Sequence, residues 1–76
     1  MKQVLNYEQL VEILMKCLAY MKVPLSKALC IEAMLETEVE KAEMIQYIKR
    51  NQNSSPAKLY SVALEISKKH QKVDFS

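Results

Sequence analysis

LETEVEKAEMIQYIKRN, residues 35–51, decides how many helices this chain has. Apolar residues recur at helical spacing on both sides of Thr37, so one long helix or two short ones would satisfy the periodicity. Thr37 with Glu40 three positions later is a capping-box arrangement, in which hydroxyl and carboxylate each satisfy a backbone N–H at a helix start. That places a break at Thr37 and predicts a helix over 38–51. Val39, Ala42, Ile45 and Ile48 are expected to face inward, with Met44 and Tyr47 beside them.

Upstream, Pro24 separates two more helices, because the residue before a proline is disfavoured in the helical region. Ser26 is the expected cap of a helix over 27–36, whose buried side would be Ala28, Leu29, Ile31, Met34 and Leu35. A helix over 7–22 begins at Asn6, with Gln9 completing a capping box and Leu5 with Leu10 forming a hydrophobic staple. Leu10, Leu14, Cys17, Leu18 and Met21 make its apolar stripe, and Val11, Ile13, Met15 and Tyr20 widen it. Such width suits a helix that is central to the fold or touches something outside it.

Downstream, the polar run NQNSSP (51–56) reads as a loop closed by a serine cap and a proline at the first helical position. A helix over 56–69 follows, carrying Leu59, Val62, Ala63 and Ile66 at one face. The tail 70–76 has no periodicity and is expected to fray. No strand alternation and no repeat interrupts this pattern. The fold class is all-α, a compact bundle of four short helices in a single small domain over 1–76.

Composition narrows the chemistry. The 76 residues include no glycine, where average usage would give roughly five. Phosphate-cradling loops, dinucleotide-binding turns and glycine-flanked nucleophile elbows are therefore excluded. The two cysteines, Cys17 and Cys30, lie in apolar stretches and are expected to be buried, reduced thiols. The apolar segment 10–23 is broken by Glu12, Lys16 and Lys22 and is shorter than the ~20 residues of a membrane span. A cytoplasmic protein with no membrane role is expected.

Neither catalysis nor metal binding is expected. His70 is the lone histidine, placed beside Lys69 at the end of the last helix, with neither cysteine positioned near it by the pattern. On a helix, Glu32 and Glu36, or Glu36 and Glu40, would share a face at four-residue spacing, which is ordinary for a solvated surface and supplies no loop oxygens for a hard cation. No cofactor is implied.

Charge is uneven. Residues 32–43 carry a net charge of −4, and 44–76 carry +4, within a total of +2. A helix-turn-helix reading of 26–51 fails on this ground, since Glu38, Glu40 and Glu43 would face the phosphate backbone. Lys58, Lys68, Lys69 and Lys72 form a better basic surface, and with it a weak nucleic-acid-binding module is the alternative reading. The favoured reading is a non-enzymatic protein acting by contact with a protein partner or with itself as a homodimer. Ile13 and Tyr20, turned away from the core stripe of the first helix, are the candidate interface residues.

Overall fold

Local capping sets three of the four helix starts. A computed structural model of the chain describes residues 6–70 and contains four α-helices among them. The first, α1 (Tyr7–Tyr20), opens with the expected capping box: Gln9 N donates to Asn6 Oδ1 at 2.8 Å and Asn6 N donates to Gln9 Oε1 at 3.0 Å. Leu5 of the expected staple lies outside the described residues. The third, α3 (Glu38–Arg50), opens with Thr37 and Glu40 reciprocally bonded, so the chain does break at Thr37. The fourth, α4 (Pro56–His70), has Ser55 as its cap, with Lys58 N donating to Ser55 Oγ at 3.2 Å.

The second helix corrects the sequence reading. It is α2 (Leu25–Met34), two residues earlier than expected at both ends, and Ser26 is inside its first turn rather than its cap. Pro24 takes the N-cap position, and its carbonyl accepts from Ala28 N at 2.8 Å. Proline is tolerated there because no intrahelical bond needs its missing N–H, and α2 begins without a side-chain cap. α1 likewise stops at Tyr20 rather than 22, and α3 at Arg50 rather than 51. There Asn51 turns back, with its N–H and its side-chain Nδ2 both donating to Tyr47 O. His70, assigned to the tail, closes α4; residues 71–76, with Lys72, lie outside the described residues.

How α1 ends without glycine is specific. Lys22 N donates to Ala19 O and Val23 N to Leu18 O, the paired bonds of a Schellman turn. That turn requires Lys22 at φ 65°, the left-handed region. A residue with a Cβ pays about 1–2 kcal/mol there. Lys22→Gly is therefore expected to raise stability by about 0.5–1 kcal/mol, the larger freedom of glycine in the unfolded chain returning part of the gain. Urea denaturation in dilute solution measures it, and no gain would mean the turn carries no such strain.

The helices pack in the order α1–α2–α4–α3 around one core: α1 lies against α3 and α2, and α4 against α3 and α2. Leu14 and Leu18 of α1, Ile31 of α2, Met44 of α3 and Leu59 and Ala63 of α4 are wholly buried in it, as is Leu35 after α2. Leu10, Met21, Val23, Ala28, Ile45, Ile48 and Ile66 complete the cluster. Three residues expected inside are not. Leu29 and Val39 are 51% and 61% exposed, and Cys30 is exposed as well. α2 is short and apolar on every side, so periodicity alone could not select its inner face. Val39 sits in the first turn of α3 on the side away from Met44 and Ile48. Cys17, the other free thiol, is only half-buried, and desolvation raises its pKa against the opposing effect of Lys49.

The joint between α2 and α3 is made by a charged side chain. Lys41, on the first turns of α3, is completely buried. Its Nζ donates to the carbonyl oxygens of Leu35 and of Glu32, the latter at 2.9 Å, and lies 3.3 Å from the Glu32 carboxylate. The Tyr7 ring covers it, 4.9 Å from the ammonium to the ring centroid. The last carbonyls of a helix lack intrahelical partners, and α2 has no basic residue in its own last turn. Lys41 supplies the missing donors from the next helix. Beside it Glu40 is buried, with Oε1 accepting from Thr37 N and Thr37 Oγ1, while Oε2 has no hydrogen-bond partner among the described residues.

Candidate interaction surface

An amphipathic helix in a small bundle shows one apolar stripe inward and polar residues outward. α2 departs from this. Ala28 and Ile31 are its buried residues, yet the opposite side carries Leu25, 68% exposed, and Leu29, 51% exposed, with exposed Cys30 and Ala33. Only Ser26 on that outer side is polar within the helix, and Lys22 and Glu36 stand just beyond its two ends. Leu25 also borders a shallow recess of about 610 Å³ shared with Val11, Met15 and Ala19 of α1. Leu29, expected in the core, is on this outer side, and Leu25 stands there without having been marked by the periodicity. The signal that could have found both was α2 itself, ten residues in which apolar side chains occupy the whole circumference.

The sequence-derived candidates Ile13 and Tyr20 fall on the other flank of α1, toward α3. Ile13 is half-buried, packed against the core, and lines a recess of about 410 Å³ with Ala42, Ile45 and Lys49. Tyr20 is 74% exposed at the end of the helix, bordering a smaller recess with Cys17, Ile48 and Gln52. The two therefore share a flank but not an environment, and neither is on the side that Leu25 and Leu29 occupy.

The basic candidates divide similarly. Lys58 and Lys69, eleven residues apart on α4, line one recess of about 630 Å³ between α3 and α4, together with Arg50. Lys68 is exposed but outside it. Glu43 and Glu65 line the same recess, and Glu43 engages Lys69 at 2.5 Å and His70 at 2.8 Å. These two hydrogen bonds hold the Glu43 carboxyl below the usual glutamate range. Lys69 and the lone histidine are thus engaged with one carboxylate, and the recess walls carry both signs of charge.

Among the described residues no group of three or more histidine, cysteine or acidic side chains is arranged to hold a metal ion. No helix among them is long and apolar enough to cross a membrane. Comparison with protein-family models, with curated proteins and with solved structures gave no match.

Proposed function

We propose that this chain is a small non-enzymatic interaction module of the cytoplasm, acting by protein–protein contact or self-association. The observation that carries the reading is the outer face of α2, where two leucines more than half exposed stand on a helix whose opposite side fills the core. Tyr20, 74% exposed, stands on a separate flank of α1 toward α3, and Ile13 beside it is already packed, so neither extends the α2 face. Burying a leucine side chain yields about 1.5–3 kcal/mol relative to leaving it in water, so an uncovered pair favours any surface that can cover it. The alternative, weak nucleic-acid binding through Lys58, Lys68 and Lys69 with Arg50, has less support because Glu43 and Glu65 would be brought to the phosphates with them.

The reading is tested by immobilising the full chain and measuring what native extract, or added free chain, it retains. Leu25→Ser with Leu29→Ser is expected to lose that protein while the far-ultraviolet circular dichroism is unchanged. Retention that survives the double substitution, or no retention of any protein including the chain itself, overturns it.

A further inference from the structure

We infer that residues 35–37 are a hinge on which the chain exchanges halves with a second copy, α2 and α3 joining into one continuous helix from Leu25 to Arg50. The inference goes beyond the contact reading, because the surface it uses is the core itself and not the outer face of α2. α1 packs on α3 and α2 on α4, so the part of the chain before residue 35 is held across the core to the part after 37. A second copy supplying the other part would remake the same contacts, which is how identical elements are exchanged between protomers.

Nothing in the linker forbids the continuous helix. Leu35, Glu36 and Thr37 include neither glycine nor proline, and none of the three has a positive φ. The break is made by three side chains. Thr37 Oγ1 accepts from Glu40 N and Glu40 Oε1 from Thr37 N, while Lys41 Nζ donates to Glu32 O and Leu35 O. In a continuous helix the same four backbone groups bond four residues along. Glu36 N would donate to Glu32 O, Thr37 N to Ala33 O, Val39 N to Leu35 O and Glu40 N to Glu36 O. Straightening the hinge therefore leaves none of them unpaired. It also frees Glu40, whose buried Oε2 has no hydrogen-bond partner among the described residues, a penalty on the closed form. Against this, Glu32, Glu36 and Glu40 would stand at four-residue spacing and repel one another. Closing within one chain also needs no partner, so the closed form prevails in dilute solution.

The full chain is refolded from denaturant at about 1 mM, near the effective concentration that a short linker provides. A dimer of twice 8.8 kDa is expected beside the monomer, read by light scattering after separation. Leaving that dimer requires unfolding. Labelled and unlabelled chains should therefore form mixed dimers when refolded together but not when mixed folded, as native mass spectrometry reads. Thr37→Ala with Glu40→Ala removes the cap from the closed form alone and is expected to raise the dimer-to-monomer ratio about tenfold. Glu36→Pro is expected to abolish the dimer, because proline breaks the interior of the continuous helix. The closed chain accepts it, since Leu35, at φ −92° and ψ 85°, already lies outside the helical region that a following proline disfavours. Circular dichroism checks that each variant is folded, and the mixing experiment decides alone where one is not. The inference is overturned if the chain and its Thr37→Ala, Glu40→Ala variant both refold only as monomers. A dimer that survives Glu36→Pro, or folded chains that mix freely, overturns it equally. Leu25→Ser with Leu29→Ser is expected to leave this dimer in place. Its loss there would refute the exchange and assign the dimer to the outer face of α2.

Discussion

Replacing Lys41 with methionine is expected to cost the fold about 3 kcal/mol or more, the range found when one member of a buried ion pair is removed. Methionine fills most of the space, so the loss would come from the polar groups left behind. The carbonyls of Glu32 and Leu35 lose their donor, and the half-buried Glu32 carboxylate loses its counter-charge. The Tyr7 ring loses the ammonium that it covers, which loosens the first turn of α1 as well. A domain this size has about 4–11 kcal/mol in total, so the variant should sit close to unfolding at physiological temperature. Glu32→Gln, which keeps both carbonyl bonds, is expected to cost about 1 kcal/mol. Urea unfolding of the two variants makes the comparison. A Lys41→Met cost below that of Glu32→Gln would mean that the carbonyl bonds contribute nothing net.

Leu18→Ala is the second large effect, expected to cost about 3 kcal/mol from lost transfer energy and the cavity left behind. Leu18 is wholly buried, and its carbonyl also accepts from Val23 in the turn that ends α1, so the site is held from two sides and has little room to collapse. Leu29→Ala, the same chemical change on the exposed side of α2, is expected to stay within about 0.5 kcal/mol in dilute solution. Denaturation curves taken side by side decide it. Equal costs would mean that Leu29 is covered even in the isolated chain.

The difference between what the residues announced and what they concealed follows from range. Caps act over three residues, so Asn6–Gln9, Thr37–Glu40 and Ser55–Pro56 are legible directly, and with them three of the four helix starts; the start of α2 is marked only by Pro24. The inner faces of α1 and α4 were also legible, because each carries a stripe long enough to have a phase. α2 is too short and too uniformly apolar for that, and its orientation is chosen by α1 and α4, which it packs against. Lys41 was hidden more thoroughly. A lysine among five glutamates reads as solvated surface, and only the direction in which the end of α2 points brings two carbonyls to it. The available hint was negative: α2 ends with neither glycine nor a basic residue to satisfy its last turn. In the sequence, apolar width shows on α1, whereas the exposed leucines belong to α2.

The helix order α1–α2–α4–α3 divides the chain into two hairpins, α1 with α2 and α3 with α4, joined at residues 35–37. Neither hairpin encloses a core of its own. Leu14, Leu18 and Ile31 belong to the first, Met44, Leu59 and Ala63 to the second, and they are buried against one another. Opening one half therefore uncovers the other, and Lys41, anchored across the joint, would be stripped of its partners in the same event. Amide protons in the middles of all four helices should then exchange through a single opening whose free energy equals that of global unfolding. Between residues 6 and 70, cleavage by a protease would then follow the population of the fully unfolded state, and so the overall stability.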